Sequence, residues 1–133
     1  DERIKFEINI EENLPDIYIN KIRTARALIN ILENAILVPC SHPYKMIGVE
    51  VRRAPGGIEI SISDNGIGIK PENLPRIWEV GYSTNNTSGL GLPFAKRIIE
   101  DNKGSIEVES KVGLGTIVKV FLPEAQYDGE LGR

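Results

Sequence analysis

The sequence contains few of the residues on which metal sites and covalent catalysis usually depend: of its 133 residues, one is cysteine and one is histidine. A single cysteine, Cys40, excludes an internal disulfide and a multi-cysteine metal site. A single histidine, His42, excludes a histidine-rich zinc site, and we expect it to be a surface loop residue. No apolar run is long enough for a transmembrane helix, and the first residues lack the apolar segment of a signal peptide. Because the chain also lacks an initiator methionine, we expect it to be a piece of a longer protein.

The composition that remains is that of one soluble globular domain. Hydrophobic residues make up 41% and charged residues 26% of the chain, and the length fits a single domain. The net charge of -3 offers no basic surplus to follow a phosphate backbone, so we expect no nucleic-acid partner. We predict a domain at residues 1–123 and a flexible C-terminal tail at residues 124–133.

Apolar residues that alternate with polar ones predict the strands. We expect a half-buried strand at residues 4–10, a hairpin of residues 49–51 and 58–62, and a second hairpin of residues 105–110 and 116–122. Glycine-rich turns at residues 55–57 and 113–115 join the two halves of each hairpin.

Two helices are predicted from helical spacing and from their end signals. The first runs from an Asn20 N-cap to the stop at Pro39, and apolar residues recur at helical spacing along it at Ile22, Ala25, Ile29, Leu32 and Ile36. The second runs from about Pro93 to Asp101. Between them, residues 66–91 form a loop-rich stretch with at most a short helix near residues 74–80. The predicted fold class is α+β, a two-layer α/β sandwich with a mixed, mostly antiparallel sheet and helices on one face.

Asp64 is a candidate functional residue because of its position on a predicted strand. It continues the parity of Ile58, Ile60 and Ile62, so its side chain should emerge on the apolar face as the strand ends. A carboxylate there is costly unless something hydrogen-bonds to it. In the following Asn65-Gly66-Ile67-Gly68, two glycines let another backbone or a flat ligand approach closely. For Asp-Asn-Gly alone, a tight turn is the ordinary interpretation.

Asn30 and Asn34 lie four residues apart and therefore on one face of the first helix. Their neighbours Ile29, Leu32 and Ala35 suggest that this face borders the core. An amide oxygen is a suitable ligand for magnesium, which takes the rest of its shell from phosphates and water. Two solvent-facing amides are the alternative interpretation.

A glycine-rich segment, Ser88-Gly89-Leu90-Gly91-Leu92, precedes the second predicted helix. Exposed backbone N–H groups at a helix N-terminus can bind an anion, so phosphate could bind there. The segment is neither a Walker loop nor a dinucleotide-binding fingerprint.

Together, these signals resemble a known family. Four segments follow the order and rough spacing of its N, G1, G2 and G3 boxes: Asn34, Asp64-Asn65-Gly66-Ile67-Gly68, Gly89-Leu90-Gly91-Leu92 and Gly113-Leu114-Gly115-Thr116. The sequence thus resembles the catalytic ATP-binding domain of sensor histidine kinases, in the superfamily shared with gyrase, heat-shock chaperones and mismatch-repair ATPases. Residues 77–84 resemble the family's F box, with Trp78 where phenylalanine is usual. The resemblance covers residues 4–123 and implies the Bergerat-type ATP-binding fold.

The resemblance also implies a role for individual residues. Asp64 would accept a hydrogen bond from the adenine amino group, and Thr116 would help to close the adenine end. Asn34 would hold magnesium and Asn30 would support it, which makes these two the catalytic residues. Gly89 and Gly91 would lie at the hinge of a mobile lid over the phosphates, from about Gly81 to Leu92. The implied nucleotide-binding residues are Asp64, Gly66, Gly68, Ile69, Tyr82, Ser88, Gly89, Leu90, Gly91, Leu92 and Thr116.

The implied function is that of a two-component sensor histidine kinase. The domain would bind Mg2+ and ATP and donate the γ-phosphoryl group to a histidine on a separate dimerisation and phosphoacceptor helical domain of the same parent. A response regulator, a cytoplasmic location, a monomeric isolated domain and a homodimeric parent are also implied.

Two alternatives stay open. An ATPase or an anti-sigma-like serine kinase of the same fold would carry a glutamate where this chain has Asn30. A nucleotide-binding module that has lost activity is the second, because Leu37 and Asn85 stand where relatives often carry a basic residue. Lys96 in the second helix is a candidate to compensate for these two positions.

Overall fold

A single five-stranded sheet organises the protein, whose computed structural model describes residues 3–81 and 91–126. The strands are β1 (Arg3–Ile10), β2 (Tyr44–Ala54), β3 (Gly57–Asp64), β4 (Ser105–Lys111) and β5 (Gly115–Pro123), in the spatial order β1-β2-β3-β5-β4. β1 runs parallel to β2, and the other neighbouring strands are antiparallel. The helices are α1 (Lys21–Leu37), α2 (Gly91–Asp101) and a 3-10 helix (Pro71–Trp78). The predicted α+β sandwich with a mixed, mostly antiparallel sheet is confirmed.

The core lies between the sheet and the two α-helices. The predicted alternation on β3 is confirmed, because Ile58, Ile60 and Ile62 are all buried there. They pack with the buried residues of β5 and of both helices in one cluster. The opposite face of the sheet carries ion pairs such as Arg52 with Glu59, at 2.9 Å.

α1 begins as predicted, but its buried side differs from the expected one. The side chain of Asn20 accepts a hydrogen bond from the N–H of Arg23 at 3.0 Å, which caps the helix. The buried residues of α1 are Thr24, Ala27, Ile31 and Ala35. Ile22 and Ile29, which belong to the predicted apolar series, are 77% and 53% exposed. The reason is that α1 carries large apolar residues on more than one side, and only the side with Ile31 is buried in the core.

The expectation that β1 is half-buried is wrong for most of the strand. Ile4 packs against the core, but Phe6, Ile8 and Ile10 are all more than half exposed. β1 is an edge strand, and the helices pack against β2, β3, β4 and β5 instead.

Several boundaries differ from the predicted ones by a few residues. α2 begins at Gly91 instead of Pro93, and β2 begins at Tyr44, well before the predicted strand. Glu124 forms a β-bridge with Ile17, and residues 127–133 of the predicted tail lie outside the described residues. No helix among the described residues is long and apolar enough to cross a membrane.

Candidate functional site

Asp64 ends β3 on the helix-facing side of the sheet, as its parity predicts. It is half-buried and lies opposite Ile47 of β2 and Thr116 of β5. Its Oδ1 accepts a hydrogen bond from the N–H of Gly66 at 2.8 Å. Burial raises the pKa of this carboxyl above its ordinary value, while the Gly66 N–H, the charge of Lys45 and the Thr116 N–H oppose the rise. A carboxylate is therefore held at the margin of the core at an energetic cost, which is typical of functional sites.

The loop that follows β3 is fixed on two sides by hydrogen bonds to distant segments. The N–H of Ile67 donates to the carbonyl of Pro39, just beyond α1, at 2.9 Å. On the other side, the N–H of Gly113 in the β4–β5 turn donates to the carbonyl of Ile67 at 2.8 Å. The N–H of Ile69 donates to Ser110 Oγ at 2.8 Å. The end of α1 and the β4–β5 hairpin thus frame Asp64 and its loop.

Two glycines of the site are required by close approaches of the protein's own backbone. Gly68 has a φ of +80°, and a Cβ there would collide with the carbonyl group of Lys111. Gly115 has a φ of +123°, and a Cβ there would collide with the carbonyl of Asp64. The sequence predicted that either another backbone segment or a flat ligand approaches Gly68 closely. In the structure, the backbone of Lys111 makes this close approach. Gly66 is buried, and a Cβ there would approach Val38 Cγ1 and the carboxylate of Asp64.

Thr116 lies beside Asp64 on the neighbouring strand, and its hydroxyl has a partner that sequence reasoning missed. Thr116 Oγ1 lies 2.8 Å from Ser110 Oγ, which also donates to the carbonyl of Gly115 at 3.0 Å. Ser110 therefore connects the loop after β3 to the start of β5. Its inward position on β4, two residues after Val108, was the available signal.

The two asparagines of α1 are both half-buried, and Asn34 lies close to the start of α2. The space for a Cβ at Gly91 lies 3.1 Å from Asn34 Nδ2 and 3.4 Å from Asn34 Oδ1. Asn30 lies one helical turn earlier and is also half-buried. The structure thus brings Asn34 together with the glycine-rich segment at Gly91, while Leu92 packs against the core. The remaining predicted residues of this segment, Ser88, Gly89 and Leu90, lie outside the described residues, as do Tyr82 and most of the predicted lid.

Lys96 and Trp78 contact each other. Lys96 Nζ lies 4.8 Å from the centroid of the Trp78 ring and 4.0 Å from Glu100 Oε2. This cation–π contact joins the end of the 3-10 helix to α2.

A buried lysine that sequence reasoning missed lies behind the site. Lys45 of β2 is 4% exposed, and its Nζ donates to carbonyl groups at the end of α1. His42 is an exposed loop residue as predicted, and Cys40 is half-buried with Sγ 3.5 Å from Asn65 Oδ1.

The fold and the site together define an ATP-binding domain of the histidine kinase type. A family model described as histidine kinase-, DNA gyrase B- and HSP90-like ATPase matches residues 19–126. The chain therefore belongs to this family of ATPases, and the resemblance noted in its sequence is confirmed.

Individual relatives are named as a sensor protein and as a kinase. The chain is 33% identical over 131 residues to sensor protein RprX of Bacteroides fragilis, which covers 93% of this chain and 25% of that protein. It is 32% identical over 124 residues to sporulation kinase E of Bacillus subtilis, which covers 92% of this chain and 17% of that protein. The mycobacterial sensor histidine kinase MprB has a similar structure, with a TM-score of 0.79, 27% identity, and coverage of 93% of this chain and 84% of that chain. The chain thus spans a quarter or less of the length of these two full-length relatives.

Proposed function

We propose that this domain binds Mg-ATP and donates the γ-phosphoryl group to a histidine on a separate helical domain of its parent protein. The observation that carries the proposal is the half-buried carboxylate of Asp64, framed by the end of α1 and the β4–β5 hairpin, on the same side of the sheet as Asn34. Phosphoryl transfer depends on positioning and charge neutralisation, so it requires no protein nucleophile.

Adenine recognition is assigned to Asp64 and its surroundings. Oδ1 of Asp64 is engaged by Gly66, and the carboxylate has a second oxygen that can accept from the adenine amino group. The backbone of Gly66, Gly68 and Ile69 is held in place by the contacts described above, so it can form a fixed wall for the base. Thr116 lies beside Asp64 and closes that end.

Magnesium is assigned to Asn34, with Asn30 supporting it. Among the described residues no group of three histidine, cysteine or acidic side chains could hold a metal ion. The amide oxygen of Asn34 is a suitable ligand for magnesium, and phosphate oxygens and water would complete the coordination shell. The ion would neutralise charge on the phosphates. Asn34 faces the first residue of α2, where Gly91 and Leu92, and before them Tyr82, Ser88, Gly89 and Leu90, are assigned to the phosphates.

Kinase activity is favoured over water activation by the residue one turn before Asn34. Asn30 is an amide with no useful basicity, whereas an ATPase or serine kinase of this fold needs a general base there. Glu33 is exposed and points about 100° away around the helix from its neighbour Asn34. The domain therefore positions ATP and leaves the acceptor to a partner.

The partners that follow from this assignment are the dimerisation and phosphoacceptor domain of the parent and a response regulator. We propose a cytoplasmic, homodimeric parent and a monomeric isolated domain. The multidomain lengths of the relatives support a parent that is longer than this chain.

The test mixes the domain with Mg-ATP labelled on the γ-phosphate and with dimerisation domains from the sensor kinases that it resembles. We expect acid-labile phosphate on an acceptor domain and none on this domain alone. His42→Ala should not change the transfer, because His42 is an exposed loop residue. Label on His42 would overturn the assignment. ATP binding without transfer to any acceptor would favour a module that has lost activity, and phosphate release to water would favour an ATPase.

A further inference from the structure

We infer that Lys45 is a positioning residue for the nucleotide site, holding the end of α1 against β2 and presenting a positive charge to Asp64. The inference rests on the proposed role of Asp64 in adenine recognition.

The side chain of Lys45 serves as a cap for α1 that comes from another element. Its Nζ donates to the carbonyls of Ala35 and Ile36, each at 2.9 Å, and to the carbonyl of Val38. The last turn of α1 has no basic residue of its own, so its terminal carbonyls would otherwise lack a cationic partner. The three donors of the ammonium are all used, and therefore Lys45 is not a phosphate ligand in this arrangement.

The residues on either side of Lys45 hold the loop that follows β3. The Met46 N–H donates to Asn65 Oδ1 at 2.9 Å, and Asn65 Nδ2 donates to the Tyr44 carbonyl at 3.0 Å. Asn65 directly follows Asp64 in the chain.

These contacts complete a closed ring of three segments. The end of α1 is bound to β2 through Lys45, β2 is bound to the loop through Asn65, and the loop returns to Pro39 beyond α1 through the Ile67 N–H. Lys45 thus connects α1, which carries Asn34, to β2, whose neighbouring residues hold the loop that directly follows Asp64.

The charge of Lys45 also acts on Asp64, which lies on the same face of the sheet. Ile47 is paired with Asp64, and Lys45 precedes Ile47 by two residues on β2, so both side chains point to the helix-facing side. Three groups stabilise the ionised form of this carboxyl against the effect of burial: the ammonium of Lys45 and the backbone N–H groups of Gly66 and Thr116. Lys45 is the charged one of the three. Removing its charge therefore leaves the carboxylate less stabilised, so Asp64 should take up a proton at a higher pH.

The experiment compares Lys45→Met, which removes donors and charge, and Lys45→Gln, which keeps an N–H donor group but no charge. Lys119→Met is the matched control, because it removes the same charge from a lysine that pairs with Glu109 on the other face of the sheet. The titration of the Asp64 carboxyl is followed by carbon NMR without nucleotide. The dissociation constant of Mg-ATP is measured by calorimetry between about pH 5 and pH 8. Each constant is divided by that of the wild type at the same pH, which cancels the titration of ATP itself.

The expected result is a higher Asp64 titration midpoint in both Lys45 variants and an unchanged midpoint in Lys119→Met. The relative dissociation constant of Lys45→Gln should rise several-fold from pH 8 to pH 5. A merely structural role would weaken binding equally at every pH, and an unchanged Asp64 midpoint in Lys45→Gln would overturn the inference. Because the NMR titration uses no nucleotide, it stands apart from the proposed function, which would instead fail if Asp64→Asn bound ATP as tightly as the wild type.

Discussion

At the scale of one residue, we expect ATP binding to depend on the hydrogen-bond acceptors of the half-buried Asp64 carboxylate. Asp64→Asn keeps the shape of the side chain but can place an N–H donor opposite the adenine amino group. A lost hydrogen bond with a mismatched donor costs about 1–3 kcal/mol, so we expect ATP affinity to fall about ten- to a hundredfold. Calorimetry of the variant checks this, with Asp101→Asn at the exposed end of α2 as the control. Unchanged affinity in Asp64→Asn would remove Asp64 from the site.

The same substitution should have the opposite effect on the stability of the nucleotide-free domain. The pKa of Asp64 is raised by burial, so the folded state binds the proton more readily than the unfolded state. Stability therefore falls as pH rises from the ordinary carboxyl pKa through the raised one. At neutral pH we expect Asp64→Asn, whose Oδ1 can still accept from Gly66, to be more stable than the wild type. The difference should shrink as pH falls towards 4, which urea denaturation at several pH values measures; a less stable variant at neutral pH would contradict it.

Asn34 allows a test that separates metal binding from general damage. We expect Asn34→Ala to weaken ATP binding clearly with magnesium present and much less in its absence, because the missing amide oxygen serves the cation. A lost metal-ligand bond through one neutral oxygen should cost about 1–3 kcal/mol, similar to a buried hydrogen bond to a charged group. ATP titrations with magnesium and with a chelator distinguish the cases. Equal losses in both would indicate damage to the α1–α2 contact instead.

The residues of the site differ in whether their roles can be predicted from the amino-acid sequence. Asp64 could be found because strand parity places it on the apolar side of β3, and parity is a local property. Parity also places Ser110 on the inward side of β4, but the roles of Lys45 and Ser110 could not be found in this way. Their roles depend on which carbonyls and N–H groups meet them across the fold, 10 residues away for Ala35 and 41 for Ile69.

Two glycines allow a test at the scale of the β4–β5 hairpin. Gly68 and Gly113 have similar φ values, +80° and +87°, but a Cβ would collide with the Lys111 carbonyl at Gly68 and meet nothing within 4 Å at Gly113. Gly113→Ala should therefore lower the free energy of unfolding only by the cost of placing alanine in a left-handed backbone conformation, about 1–2 kcal/mol. Gly68→Ala should lower the free energy of unfolding by about 1–3 kcal/mol more, because the added Cβ overpacks the contact with Lys111. It should also weaken ATP binding, because the loop after β3 must move. Urea denaturation of both variants measures the difference, and equal losses would contradict the described contact.

The elements show where periodicity succeeds and where it is insufficient. Strong alternation with one buried side, as in β3, predicted both the strand and its orientation. In α1 the helix and its Asn20 cap were predictable, but apolar residues on several sides left its buried face undetermined. In β1 the alternation predicted a strand, while the exposure of Phe6 and Ile8 follows from its place at the sheet edge. Edge position is set by strand order, which local sequence does not encode.

At the scale of the whole molecule, a chain with a net charge of -3 is expected to bind a polyanionic nucleotide. Two lysines close to the proposed site already have partners within the protein. Lys45 donates hydrogen bonds to carbonyl groups of α1, and Lys96 lies over the Trp78 ring. Leu37, three residues after Asn34, is apolar and 56% exposed. Charge neutralisation of the phosphates is thus expected to rest on magnesium and on backbone N–H groups at the start of α2.

This distribution of charge leads to a prediction about the terminal phosphate. If no lysine or arginine contacts it, ATP and ADP should bind within about tenfold of each other, or about 1.4 kcal/mol. Trp78 lies beside α2, so its fluorescence can report both affinities. Lys96→Met removes the cation while keeping the side-chain length, and it should leave the ATP to ADP ratio unchanged, although it should alter the Trp78 signal itself. Calorimetry therefore provides the matched measurement for that variant. A wild-type preference for ATP of several hundredfold that disappears in Lys96→Met would show that Lys96 leaves Trp78 and reaches the γ-phosphate when nucleotide is bound.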